Sequence, residues 1–430
     1  MKDSVNPLVT LRSGFAAFGH RNFRLFWIGQ LLSLTGTWMQ SVAQSWLMLE
    51  LTDSPVMVGL VVGLQYAPVM FLGLVGGVAA DRFDKRRTLL MTQALSAVQA
   101  LVLGILAVTG HAQPGQLLVL AAFLGVVNAF DMPARQAFVT EMVGRADIMN
   151  ALALNSSAFN LARILGPALG GLLLIRFEPG TVFLINAATF APVIAGLLMM
   201  RESELIQRPP PQRTGVWQSL GDGLRYVRTT PLVLVPTLLV GLIATFGMNY
   251  TVLLSVIARD VLQIGSAGFG LLMAALGIGS VTAAFVIALA PRLEPRRTMI
   301  WGAAAFAVLE LAFAGAAHMR WMPACYLLLM GVGASMIFVT ATANTTIQQT
   351  SPDHLRGRVM SVYVTVFSGS TPIGSLVAGS AATWIGAPMA WGVGAILAGL
   401  SAFWAAWALL NAGRTERRVP GLVDGQREET

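Results

Sequence analysis

Eight stretches of this chain carry no charged side chain: residues 25–49, 54–80, 88–130, 179–200, 229–258, 261–291, 321–352 and 359–413. A helix crosses the hydrocarbon core of a bilayer with about 20 apolar residues, so each stretch is long enough to span. The two longest, 88–130 and 359–413, must each hold two helices and a hairpin. Turn signals such as Thr52-Asp53-Ser54-Pro55, Gln113-Pro114-Gly115, Glu178-Pro179-Gly180 and Gly386-Ala387-Pro388 mark the cuts. They predict twelve spans near residues 23–50, 55–80, 87–110, 115–140, 149–175, 179–200, 231–258, 266–290, 297–318, 322–346, 358–384 and 388–411.

Composition narrows the function. Only 11% of the residues are charged and 55% are hydrophobic, whereas soluble domains carry about 25% charged residues. That balance excludes a disordered chain and argues against a soluble enzyme. Cys325 is the single cysteine, and His20, His111, His318 and His354 lack metal-ligand spacing, so no metal site or disulfide is expected. Neither lysine, Lys2 or Lys85, follows a phosphate-cradling glycine loop, so no ATP and no other cofactor are expected. A membrane enzyme acting on lipids or isoprenoids would need a nucleophile turn, a His-Glu-x-x-His helix or paired aspartates on an internal face, and the sequence has none of these. The expectation is therefore not an enzyme.

Charge placement orients the spans. Of 28 basic residues, three (Arg176, Arg259, Arg320) fall on one side and two (Arg135, Arg163) near inner helix ends, while the rest collect on the side of the termini. Positive charge gathers in cytoplasmic loops, so both termini are expected in the cytoplasm. The net charge of +8 then faces anionic membrane lipid, with no nucleic acid partner. The first 22 residues show no removable signal peptide, and the first span does the targeting. A polar stretch with a triple proline at 209–211 and an amphipathic segment from Trp217 to Arg228 separates two sets of six spans. The expected organisation is a cytoplasmic segment 1–22, a six-helix bundle 23–200, a linker with an interfacial helix 201–230, a second bundle 231–411 and a cytoplasmic tail 412–430.

The two sets repeat at an offset near 210 residues. Asp81-Arg82-Phe83-Asp84-Lys85-Arg86-Arg87 aligns with Pro291-Arg292-Leu293-Glu294-Pro295-Arg296-Arg297, Gly166 and Gly171 with Gly374 and Gly379, and Gly36 with Gly247. Parallel six-span repeats characterise alternating-access transporters, whose substrate sits between the repeats near the membrane midplane.

The stretch from Gly76 and Gly77 through Asp81 and Arg82 to Arg86 and Arg87 resembles the cytoplasmic loop signature of the major facilitator superfamily, with Asp84 where many members carry glycine. The resemblance implies a conformational latch in which Asp81 meets the amino-terminal end of span 11 near Gly357 and Arg358. A basic cluster that only sets topology is the plainer reading. Ala162-Arg163-Ile164-Leu165-Gly166-Pro167-Ala168-Leu169-Gly170-Gly171 is similar to the superfamily's antiporter signature, with Ala162 in place of its upstream glycine. This resemblance implies export in exchange for protons and a hinge or seal at Gly166, Pro167, Gly170 and Gly171, matched by Pro372 and Gly374 in span 11. Arg21 to Trp27, Asp131 to Phe138 and Arg356 to Ser361 resemble the drug and siderophore exporter branch, the transmembrane secretion effector type, which includes macrolide-efflux proteins and enterobactin exporters. The resemblance extends to about residue 411.

Two acidic residues fall well inside spans, Asp131 and Glu310. Charges there are costly and mark functional positions. Asp131 and Arg135 share a helical face and form either a structural or gating pair or a proton site. Glu310 has no basic residue within one turn and is a second proton candidate, on a span peripheral in this superfamily, while Arg163 is placed to answer a carboxylate across helices. Gln30, Thr37, Gln40 and Gln44 make a polar stripe on span 1, and Gln65, Tyr66, Asn128, Asn155, Thr245, Asn249 and Tyr250 extend it. A polar stripe in lipid must face protein or water, so these residues line a cavity or bond helix to helix. The expectation is an all-α membrane protein of twelve transmembrane helices, built as two pseudo-symmetric six-helix bundles. It is a monomeric, multi-pass transporter of the bacterial inner membrane, exporting a lipophilic or amphipathic small-molecule substrate against protons. A dedicated exporter of a natural metabolite such as a siderophore, or of a lipid-related substrate, is the alternative.

Overall fold

The structure, a computed structural model, describes residues 15–206, 216–289 and 294–418. The triple proline at 209–211, loop residues 291–293 and tail residues 419–430 lie outside the described residues. Among the described residues the fold is made up of fourteen α-helices. In chain order they are α1 (Arg21–Thr52), α2 (Pro55–Arg82), α3 (Lys85–Val108), α4 (Pro114–Glu141), α5 (Ile148–Leu174), α6 (Pro179–Leu198), α7 (Val216–Thr229), α8 (Pro231–Phe246), α9 (Tyr250–Val256), α10 (Gly265–Leu289), α11 (Pro295–His318), α12 (Met322–Thr350), α13 (Asp353–Ile385) and α14 (Ala387–Arg418).

Local chemistry sets the helix ends. Proline opens α2, α4, α6, α8 and α11, where its missing N–H is one the helix would leave unpaired anyway. Asp84, which stands where the related signature has glycine, caps α3 by accepting from the Arg87 backbone N–H at 2.7 Å. Asp53 ends α1 in the left-handed region, which fits the tight hairpin to α2.

Eleven helical segments are long and apolar enough to cross a membrane. α1 is not among them, because Gln30, Ser33, Gln40, Ser41 and Gln44 interrupt its apolar run, and all five are buried against neighbouring helices. At 32 residues it is about 48 Å long. The expected span over 231–258 is not continuous: the helix breaks at Gly247, Met248 and Asn249, resumes as α9, and ends in a π turn, Ile257–Val261.

Packing follows one pattern twice. In the first half α2 packs on α4, α1 on α5 and α6, and α3 on α4 and α6. In the second half α10 packs on α12, α8 on α13 and α14, and α11 on α12 and α14. A shift of six spans, counting α8 and α9 as one, maps the first set onto the second. The seam between the halves obeys the same symmetry, with α2 against α13 and α5 against α10.

Small residues let the seam close. A side chain at Gly171 would run into the backbone of Gly270, and one at Gly59 into the carbonyl of Ser375. A Cβ on Gly379 would come within 3.2 Å of Val56 Cα. These contacts lie toward the end of the hairpins at 53–54 and 386, where Arg259 of the second half also donates to the Leu49 carbonyl at 2.7 Å and pairs with Asp53. At the other end, which carries the basic loop 81–87, Gly73 and Gly77 on α2 and Gly357 on α13 have open space beside them. The halves thus meet from mid-depth to the hairpin end and part toward the basic end.

Gly171→Val forces the seam apart. Spin labels on the 110–113 and 319–321 hairpins are expected to report a distance distribution shifted several ångströms longer than in the wild type; an unchanged distribution contradicts this account of the seal.

Candidate functional site

Three buried polar groups inside this frame differ in how they are satisfied. The first surrounds Asp131 on α4, which is 2% exposed. It pairs with Arg135 one turn on and accepts from Thr92 Oγ1 and Gln93 Nε2, each at 2.8 Å. Gln30 of α1, with its amide oxygen turned toward the guanidinium, accepts from Arg135 Nη1 at 3.1 Å. Every charge here has a partner, so the cluster fastens α1, α3 and α4 together.

The second group is Glu310 on α11, 1% exposed, with neither carboxylate oxygen bonded. The break after α8 brings Tyr250 into its electrostatic reach. The hydroxyl of Tyr250 and the indole Nε1 of Trp391 are likewise buried without partners, and the two rings lie 5.8 Å apart. Gly247 makes room for this pocket: a Cβ there would sit 2.6 Å from the Phe306 ring and 3.1 Å from Glu310 Oε2.

The third is Arg163, midway along α5 at the seam. Its Nε is buried and unbonded, and its guanidinium carbon lies 5.6 Å from the Phe367 ring centroid on α13. Trp38 stands between Tyr66 and Phe159, at 6.3 and 6.2 Å. Arg163 and Asp131 are not paired; the carboxylate that the sequence offered to Arg163 belongs to Arg135 instead.

The expected cavity stripe divides. Gln40 bonds Gln99 at 3.1 Å and Asn186 at 2.8 Å, Gln44 donates to the Leu117 carbonyl at 3.2 Å, and Thr37 to the Ser33 carbonyl at 2.8 Å. These groups are spent on contacts within the first half. Gln65 is buried, while Tyr66, Asn128 and Asn155 are half-buried. In the second half Thr245 donates to the Gly241 carbonyl, and Asn249 to that of Thr245, both at 2.8 Å, across the break that leads to Tyr250. Gly374 packs on that same Thr245 carbonyl, Gly166 against Trp38 and Gly170 against Met39. Pro167 and Pro372 lie inside α5 and α13.

At the basic end Gly77 and Asp81 line a cavity of about 500 Å³ with Gly73, Pro133, Gln136 and Leu152. Among the described residues no hydrogen bond or ion pair joins Asp81 to Gly357 or Arg358. Arg358 donates instead to Asp222 of α7 at 2.8 Å. Arg86 reaches the Leu197 carbonyl at 2.8 Å and pairs with Glu202, while Arg82 is exposed and Arg87 contributes its backbone N–H to the Asp84 cap. Thr92, Gln93, Tyr363, Phe367 and Trp391 were not singled out from sequence. Only Gln93, a polar residue in an apolar run, carries a signal of its own.

Residues 12–420 match the family described as transmembrane secretion effector, within the major facilitator superfamily. The chain belongs to this family. It is 24% identical to the staphyloferrin A transporter of Staphylococcus aureus over 82% of this chain and 88% of that one. It is 29% identical to the multidrug efflux pump Tap of Mycolicibacterium fortuitum over 80% and 85%. A bacterial homologue of the human lysosomal transporter Spinster, in an inward-facing occupied conformation, shares the fold with a TM-score of 0.69 at 14% identity, covering 90% of this chain and 96% of that one. The protein is thus a multi-pass transporter of the bacterial inner membrane and not an enzyme.

Removing one partner of a buried ion pair strands the other charge, at a cost of about 3–5 kcal/mol. Asp131→Asn or Arg135→Gln alone is expected to lower the unfolding temperature in detergent sharply. The double variant is expected to recover much of the loss, and equal or additive losses contradict the pairing.

Proposed function

We propose that this chain is a secondary active exporter of lipophilic or amphipathic small molecules, driven by inward proton movement through alternating access. In this reading α1 is the twelfth span, the two bundles are 23–200 and 231–411, and both termini lie in the cytoplasm. The observation that carries the proposal is the asymmetric seam, packed on glycine at the hairpin end and parted at the basic end. With the basic end inside, it is a cleft that loads from the cytoplasm. Rocking of the halves about the seam then releases substrate outside. The Asp81 segment serves as the latch of the opposite state, when α13 brings Gly357 and Arg358 onto it.

Glu310 is our proton site. Its charge has no compensating cation, whereas Asp131 already has its full set of partners. A proton drives the change only if it binds the two conformations with different affinity. The pocket meets that condition by lying beside the break between α8 and α9. The relatives split between a multidrug pump and a siderophore transporter, so a dedicated metabolite exporter is the second reading.

Everted vesicles test both. An acid-inside gradient is expected to drive accumulation of a fluorescent lipophilic substrate by the wild type. Glu310→Gln is expected to retain binding while losing the gradient dependence, whereas gradient-driven transport that persists in this variant removes Glu310 from the coupling. Movement of a siderophore, with no movement of any dye, selects the second reading.

A further inference from the structure

Arg163 is a cation at mid-depth with no counter-ion. A guanidinium in the middle of a span is costly and calls for a partner, and another intramembrane arginine, Arg135, has Asp131 and Gln30. Among the described residues Arg163 has no ion pair or hydrogen bond. Its surroundings are aromatic: Phe367 lies beneath the guanidinium, and the phenols of Tyr66, Tyr250 and Tyr363 are within its electrostatic reach. Tyr363 stacks on Phe367 with centroids 6.4 Å apart. α2 and α5 of the first half and α9 and α13 of the second supply these groups, and they converge where the seam gives way to the cleft. Toward the basic end, Ser156, Ser157 and Asn160 of α5 and Ser361 and Thr365 of α13 are exposed, an arrangement suited to water rather than lipid.

We infer that the blind end of this cleft binds an amphipathic anion, a carboxylate or sulfonate joined to a flat aromatic body. The guanidinium offers paired donors in the fork geometry that such groups match, and Trp38, Tyr66, Phe159 and Phe367 provide aromatic faces for the body. A cationic solute at the same place meets an unpaired positive charge. The inference deepens the export reading and rests on it by naming the charge class of its substrate.

The test uses two dyes that share a three-ring xanthene body, anionic fluorescein and cationic rhodamine 123, with the full chain in phosphatidylcholine liposomes. The wild type is expected to move fluorescein. Arg163→Gln is expected to raise the KM for fluorescein by about tenfold or more without lowering rhodamine 123 movement, and Arg163→Lys to recover part of the loss. Equal handling of fluorescein by wild type and Arg163→Gln overturns the inference, as does movement of rhodamine 123 alone. Equal loss of both dyes in Arg163→Gln and Arg163→Lys assigns the residue a structural role and also overturns it. Movement of neither dye by folded wild type removes the lipophilic-exporter reading on which the inference rests, and the inference with it. Adding phosphatidylglycerol separates two sources of the anion: an unchanged KM is expected for a solute site, and a competitive rise in the wild type alone makes the occupant a lipid headgroup.

Discussion

The close approach of α5 to α10 and of α2 to α13 is the constraint on which the rest of the molecule depends. Lipid tails are as apolar as leucine, so helices in a bilayer gain little from hydrophobic burial against each other and hold together by van der Waals packing at small residues. Gly171 against Gly270 and Gly59 against Ser375 give backbone-to-backbone contact on two symmetry-related lines of one seam. That contact, with Trp46 of α1 stacked on Phe269 of α10, holds the halves together at one end. It also leaves the other end free to open, because Gly73, Gly77 and Gly357 face space.

Polar groups divide according to whether this seam needs them. Inside the first half Gln40, Gln99 and Asn186 form a chain, and Asp131, Arg135, Thr92, Gln93 and Gln30 form another. Such networks brace the first half, since opening one leaves buried groups unpaired. The ionisable groups with buried, unpartnered atoms, Arg163, Tyr250 and Glu310, lie at the seam or beside the broken helix, with Trp391 next to them, while Gln44, Ser45 and Gln93 each leave one buried oxygen unbonded inside the first half. The proposed rocking of two pieces accords with this arrangement, in which the buried ion pair lies inside one half and Arg163 lies at the seam.

The helices and the repeat were legible in the sequence because the requirement for long uncharged runs is unconditional in lipid and because glycines and basic loops recur at one offset. α1 was legible for the same reason that it fails a strict apolarity test: its polar residues recur at helical spacing. The destination of those residues was not legible. Periodicity places Gln30, Gln40 and Gln44 on one face, but only the packing partner decides whether that face meets a cavity or another helix, and here Arg135 takes Gln30, Gln99 and Asn186 take Gln40, and the Leu117 carbonyl takes Gln44. The break at Gly247 escaped notice because Gly, Met and Asn all occur inside spans. The Phe306 ring on α11 occupies the space a side chain at Gly247 would need, a contact no local pattern reveals. Likewise the pairing of Asp131 with Arg135 could be read from their spacing, whereas the isolation of Arg163 depends on what every other helix fails to place beside it.

The relation between Glu310 and Arg163 limits how proton and substrate can be linked. Tyr250 lies within electrostatic reach of both, so the two sites share one neighbouring side chain. A proton on Glu310 removes negative charge from that neighbourhood, which leaves the field at Arg163 more favourable to an anion. By electrostatics alone the two ligands therefore assist each other, and exchange cannot arise from direct competition within one pocket. It requires that protonated Glu310 and anion-bound Arg163 favour opposite arrangements of the halves. The element placed to carry that preference is the broken helix: α9 holds Tyr250 and packs on α1, α2, α10, α13 and α14. Tyr250 faces Trp391 in the arrangement seen here. In the proposed exchange a displacement of α9 would change the surroundings of Glu310 and the aromatic wall of the Arg163 site together, so the sign of coupling would be set by that movement and not by the charges.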